Sequence, residues 1–318
     1  MTKTIERIER EAGIPGLAAL LAERISPTDL QSLLLDVYRR HANRPSSAVL
    51  SDYETNRFVG PSTVSPLSLL EWEQVAFLNL PSEFQPIVLS PVCPLGTCSS
   101  VALVDQNKVL STIRNTEVVS DSTNVLALEC ALQRRQMLRV NPKSVAQIHL
   151  ATSHRLLRTQ HYDNLNAVTH FSSFALCSAG RDQGNLRFEL AALALQIGFY
   201  VRSLRAFAGP NVPLRIAVTD FSTVDRQSLL STQLFTPIQQ EFTDVECVMD
   251  NERTGGRDYY VDLCFHIYAT SPAGEVMELV DGGAVNWTQK LLSNAKERCV
   301  VSGIGSERLC TIFGRTSS

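Results

Sequence analysis

The residues best suited to chemistry lie late in the sequence, in CVVSGIGSERLCTIF, residues 299–313. Cys299, Val300 and Val301 form a short apolar, β-rich run, which predicts a buried strand ending in Gly303-Ile304-Gly305. Ser306 stands where it would cap a short helix, with Arg308 in the first turn. Glycines at a strand-to-helix turn let a ligand approach the backbone, and a helix N-terminus favours an anion. A guanidinium just beyond can grip a phosphate through two parallel hydrogen bonds. The same residues also describe a tight turn with a surface arginine.

Other chemistries find less support. The six histidines, at 41, 149, 154, 161, 170 and 266, show no metal-ligand spacing. Of eight cysteines only Cys93 and Cys98 are close together, as CPLGTC, and most sit in apolar stretches, so they read as buried free thiols. No metal site is expected. No Ser-His-Asp, Cys-His or paired-carboxylate arrangement stands out.

The chain of 318 residues is long enough for one large domain or two ordinary ones. With 44% hydrophobic and 19% charged residues it reads as globular, and a net charge of -3 argues against a broad nucleic-acid footprint. No apolar run has the length of a membrane span and Met1 is followed by a charged helical pattern, so no membrane partner and a cytoplasmic location are expected.

The elements that must position Arg308 follow from periodicity. Residues 3–44 are helical in pattern, and the Pro- and Ser-rich stretch 44–66 reads as a connection. LSLLEWEQVAFLNL, residues 67–80, predicts an amphipathic helix, and FQPIVLSPV a strand closed by Pro91. SSVALVD, KVLSTIR, VAQIHLAT, FSSFAL and PLRIAVTDF predict strands. STNVLALECALQRRQML starts as strand or turn and becomes a helix; RFELAALALQIGFYVRSLRAF is a long helix with an apolar stripe, and TQLFTPIQQEF a further helix. YYVDLCFHIYAT and EVMELVDGG flank a turn at Ser271-Pro272-Ala273-Gly274, followed by a helix in NWTQKLLSNA. Strands in hairpin-like pairs with helices between blocks predict an α+β fold, an antiparallel sheet flanked by helices. A helical extension and linker would span residues 1–64 and the core residues 65–318.

The order of these blocks, with SGIGSERL, resembles the catalytic core of class II aminoacyl-tRNA synthetases. Motif 3 of that family is a strand, a Gly-x-Gly-x-x-Arg turn and a helix, and the resemblance places Arg308 along the γ-phosphate of ATP, beside Gly303 and Gly305. Within the class the chain looks most like histidyl-tRNA synthetase and its paralogue, the regulatory subunit of ATP phosphoribosyltransferase. GGRDYYVDLCFHIY is similar to that group's Arg-Gly-Leu-Asp-Tyr-Tyr signature, with Asp258, Tyr259, Tyr260 and Phe265 in place. LSLLEWEQVAFLNLPSEFQPIVLSP resembles motif 1, which implies a homodimer. LLRTQHYDNLNAVTHFSSFALC resembles motif 2 and implies Arg158 at the α-phosphate and Gln160 at the adenine, with Arg155 an alternative match for the arginine. ALECALQRR resembles the segment whose carboxylate holds the substrate α-amino group, which implies that role for Glu129; a structural partner in Arg134 or Arg135 is the alternative.

Three departures stand against the resemblance. The signature arginine falls on Gly255, flanked by Arg253 and Arg257; Ala284, Val285 and Asn286 replace Arg-Tyr-Asp in the second signature; and Ser173 and Leu176 stand where the glutamine and glutamate that read histidine would be. The sequence ends at Ser318 directly after motif 3 and has little room for an insertion before DYY, so charging of a standard tRNA is not expected. The resemblance implies ATP with Mg2+, an amino acid or small carboxylate bound near Glu129, Ser173, Tyr259 and Tyr260, and an acyl-adenylate formed without a protein nucleophile. A catalytically silent paralogue acting as a regulatory or ligand-sensing subunit is the other expectation.

Overall fold

The alternating and β-branched runs pair into one eight-stranded sheet in a computed structural model that describes residues 2–160 and 169–314. Helices α1 (Thr2–Ala12), α2 (Leu17–Ala19), α3 (Pro27–His41) and α4 (Ser46–Thr55) come first, and none of their described residues is buried. The core follows with α5 (Pro66–Leu78), β1 (Phe84–Pro86), β2 (Val92–Pro94), α6 (Thr97–Val101), β3 (Thr116–Val118), α7 (Ser122–Val140), β4 (Ile148–Leu157) and β5 (His170–Arg181). Next are α8 (Arg187–Ala208), β6 (Leu214–Asp220), α9 (Gln227–Leu230), α10 (Thr236–Glu241) and β7 (Glu246–Met249). The chain continues through β8 (Leu263–Thr270), β9 (Val276–Val285), α11 (Trp287–Leu292), β10 (Glu297–Gly305) and α12 (Ser306–Phe313).

The strand order is β1-β4-β5-β10-β9-β8-β6-β7, with only β1–β4 and β6–β7 parallel, so the fold is α+β with a mostly antiparallel sheet. One face carries α5, α8 and α12 over a core that includes Trp72, Phe174, Phe199 and Leu309. The other carries α7 and α11 over Leu126, Ala127, Cys130, Leu150, Cys177 and Val301. Burial of these side chains, about 1.5–3 kcal/mol for each large one, is what holds the helices to the sheet. Helix α8 is long and apolar enough to cross a membrane, yet it is spent as a core helix: buried Gln196 donates to Ser178 Oγ at 2.9 Å and accepts from Ser302 Oγ at 2.6 Å. A satisfied polar network of this kind fixes the register of a helix on a sheet.

Several expectations need correction. SSVALVD and KVLSTIR do not join the large sheet. The first enters α6 and the second contributes only an isolated bridge from Ser111 to Glu117. The cause is a contact distant in sequence: the buried Glu117 carboxylate accepts from Gly96 N and Cys98 N, both at 2.8 Å, and winds the backbone there. The strand drawn through FQPIVLSPV is limited to Phe84–Pro86. Within the 44–66 connection, Ser46–Thr55 is helical. Seven of the eight cysteines are buried and all are free, as expected.

Candidate functional site

On the face that α7 covers only in part, the sheet register sets Thr152, Ala175, Gly303, Asp281 and His266 side by side across β4, β5, β10, β9 and β8. Gly303 leaves the middle of this row bare. A Cβ there would meet only Ser173 Oγ at 3.6 Å and Phe174 O at 3.8 Å. One row further along, a Cβ on Gly283 would lie 2.6 Å from Leu263 O and 2.7 Å from the Tyr260 ring, so that glycine is filled by the tyrosine.

The expected phosphate arginines lie at two edges of this floor. Arg158 follows β4 directly; its Nε donates to Ser120 O at 3.0 Å, its Nη2 lies 3.8 Å from Asp121 Oδ2, and its guanidinium sits 5.2 Å from the Phe171 ring centroid. Arg155, the alternative match, lies on the opposite sheet face, where it pairs with Glu307 at 2.6 Å and meets His170 Nδ1 at 2.7 Å. It ties β4 to α12 and leaves the site to Arg158. Gln160 is exposed, and its carbonyl accepts from Arg57. The rest of the expected motif 2 loop, residues 161–168, lies outside the described residues.

Arg308 is exposed in the first turn of α12, against the Gly305 backbone. Ser306 is the first helical residue and makes no cap; its hydroxyl accepts from Trp72 Nε1 at 3.0 Å, which anchors the turn to α5. This corrects the capping expectation. The anchor fixes where Arg308 projects.

Tyr259 and Tyr260 precede β8 and pack edge to face, with Tyr259 also against Trp287. The Tyr259 hydroxyl donates to Asp121 Oδ2 at 3.2 Å. Burial pushes its phenol well above the ordinary value, and the Asp121 charge adds to this. Asp121 caps α7, accepting from Thr123 N at 3.0 Å and Thr123 Oγ1 at 2.7 Å. Thus the carboxylate beside Arg158 and Tyr259 is Asp121. Glu129 lies two turns along α7 and accepts from Gln133 Nε2 at 2.9 Å, while Arg134 is committed elsewhere, to Glu297. The structure therefore does not bring Glu129 to Arg158. Ser173 does border the floor; Leu176, pointing to the other face, is fully buried in the core against α8.

Of the two arginines flanking Gly255, Arg253 reaches the site. Gly256 has φ +87°, and a Cβ there would press on Tyr260 at 3.0 Å and Arg253 Nη2 at 3.2 Å, so the tight turn folds Arg253 back over the Tyr260 ring. Its Nη2 donates to Asp281 Oδ1 at 3.0 Å and its Nε to Gly255 O at 2.9 Å. Its side chain is 8% exposed, and Nη1 is buried with no hydrogen-bond partner among the described residues. Arg257 stacks over Phe221 instead. Burial raises the Asp281 carboxyl, but the hydrogen bond from His266 and the Arg253 charge outweigh it and leave the group below its usual range.

Asp121, Arg253, Asp281 and His266 were missed from sequence. Asp121 had a signal: an aspartate directly before a helical apolar pattern is an N-cap. For Arg253 over Arg257, spacing offered none.

No protein-family model matches the chain, and neither does any curated protein. Among solved structures it is similar to histidyl-tRNA synthetase from S. aureus, at 14% identity and TM-score 0.56, over 79% of this chain and 68% of that one. It is also similar to an ATP phosphoribosyltransferase regulatory subunit/histidyl-tRNA synthetase from Bacillus halodurans C, at 12% identity and TM-score 0.59, over 81% and 83% of the two chains. A third likeness is to the RNA binding domain of threonyl-tRNA synthetase from Cryptosporidium parvum Iowa II, at 9% identity and TM-score 0.54, over 78% of this chain and 63% of that one. Identities this low carry the architecture alone: this chain has a class II aminoacyl-tRNA synthetase-like fold.

Proposed function

We propose that the protein binds ATP and activates an amino acid or another small carboxylate as its acyl-adenylate. The observation that carries this reading is the buried, unfilled donor of Arg253 beside the bare glycine floor. A buried donor without an acceptor costs about 1–3 kcal/mol, which a carboxylate ligand would recover. Arg158, Gln160, Gly303, Gly305 and Arg308 would hold the nucleotide, and Tyr259, Tyr260, Ser173 and Asp121 would border the carboxylate substrate.

The chemistry asks for charge stabilisation as a carboxylate oxygen attacks the α-phosphate and pyrophosphate leaves, and preorganised guanidinium groups provide it. Among the described residues, no group of three or more His, Cys, Asp or Glu side chains could hold a metal ion alone. Mg2+ is commonly bound by one or two carboxylates together with substrate phosphates, so it would enter here with the nucleotide. The apolar residues of α5 that face solvent, Leu67, Leu70 and Leu78 at 71, 62 and 77% exposed, support a homodimer as part of the proposal.

A second reading, a silent paralogue that senses a ligand, is favoured by one contact. Asp121 stands 3.8 Å from the guanidinium of Arg158, where a phosphate would have to compete with it. Similarity to a chain described as a regulatory subunit fits that reading equally.

ATP–pyrophosphate exchange with magnesium and pooled amino acids, beside Arg308→Ala, separates the two. Exchange that vanishes in the variant is expected. Ligand binding without exchange would establish the sensor, and absence of both exchange and ATP binding by calorimetry would overturn the nucleotide reading.

A further inference from the structure

At the other end of β9 and β10 from Arg308, a second concavity opens between the start of α8, the segment 261–263 and the start of α11. Its volume is ≈ 190 Å³. A water's share of the liquid is about 30 Å³, so the space suits a small organic molecule. Leu186 and Val261 supply apolar walls, and Glu189, Asp262 and Arg298 supply charge.

Glu189 is the unusual member. Its side chain is 7% exposed; Oε1 lies 3.0 Å from Arg298 Nε, and Oε2 is buried without a hydrogen-bond partner among the described residues. A buried carboxylate oxygen left unmatched is costly, and such a group calls for a specific explanation. Arg298 cannot supply it, because its Nη2 is already 3.1 Å from Asp182 Oδ2. With that guanidinium shared between two carboxylates, an anion entering the cavity would meet net repulsion. A cationic donor would find both an acceptor and an apolar wall.

We propose that this cavity is a second binding site, for a small primary amine whose ammonium donates to Glu189 Oε2 and whose short aliphatic body lies against Leu186 and Val261. The site adjoins the first through the chain itself. Val261 follows Tyr260 and donates to Ala284 O at 2.8 Å, so an occupant touches the segment that carries both tyrosines.

The test is calorimetric titration of the whole chain with n-butylammonium, 1-butanol and butyrate at constant ionic strength, on wild type, Glu189→Gln and Val261→Trp. Saturable binding of n-butylammonium is expected, at least tenfold weaker in each variant, with 1-butanol weaker and butyrate silent. Absence of saturation, equal binding of the three compounds, or binding untouched by both substitutions would overturn the proposal. Val261 is 41% exposed, so a tryptophan there blocks the rim without entering the core. If Glu189→Gln fails to fold, Val261→Trp and the ligand series still decide.

Discussion

Helix α7 has an arginine–carboxylate pair toward each end. Toward the C-terminal end, Arg134 and Glu297 are both 0% exposed, joined by two bonds of 2.8 Å, and Arg134 also donates to Ala146 O at 2.6 Å and Ser144 O at 3.1 Å. At the N-terminal end, Arg158 and Asp121 are 36% and 24% exposed and 3.8 Å apart. The first pair has two parallel bonds and further carbonyl acceptors; it belongs to the scaffold. The second is longer and partly exposed, with Arg158 also donating to Ser120 O, and it belongs to the proposed ligand site.

The strongest way to break this contrast is to remove one partner of the closed pair. Arg134→Ala leaves Glu297 charged and buried, and should cost about 3–5 kcal/mol in denaturant unfolding, whereas a combined Arg134→Met and Glu297→Leu exchange should recover most of it. A double variant as unstable as the single one would refute the scaffold assignment. Next in size, Gly283→Ala drives a methyl into Leu263 O and Tyr260, and should lose about 1–3 kcal/mol together with the edge-to-face contact of Tyr260. An unchanged melting midpoint would show that this part of the floor is looser than described.

Arg158→Ala sharpens the comparison from the open side. Partly exposed pairs contribute about 0–1 kcal/mol, so stability should barely move while ATP affinity falls about tenfold or more by calorimetry. A large loss of stability would make this arginine scaffold as well. The smallest effect concerns acid. The folded pKa of Asp281 lies below its unfolded value, so its contribution is present above the unfolded pKa and is lost as pH falls through the folded one. Asp281→Asn should therefore flatten the acid limb of the stability curve and lower stability slightly at neutral pH; an unaltered limb would remove Asp281 from the acid response.

How much of this was legible depended on how local the deciding forces were. The long strands from Ile148, His170, Leu263 and Val276 could be read because β-branched and aromatic side chains fit a half-buried pleated surface. The run 99–105 could not, because Glu117 decides its conformation from a distance. Arg308 and the tyrosine pair were legible as a spaced pattern, and the structure puts them on or beside one sheet face. Arg253 was not, since a left-handed turn at Gly256, and no preference of arginine, selects it over Arg257. Glu129 follows from the resemblance of ALECALQRR to a family segment, whereas Asp121, in the cap of the same helix, is the carboxylate that the structure sets beside Arg158 and Tyr259.

The sheet order has a consequence for how the molecule comes into being. Strand β10, the last of the described strands, lies in the middle, with β1-β4-β5 on one side and β9-β8-β6-β7 on the other. On the ribosome the halves share no ladder until residues 297–305 emerge, and each would meanwhile present an unpaired edge at β5 or β9. Closure then depends on contacts far apart in sequence, a slow and association-prone step. A nascent chain stalled before Glu297 should hold two half-sheets awaiting a keystone, and the strand that completes them also delivers Gly303, Gly305 and, one turn later, Arg308.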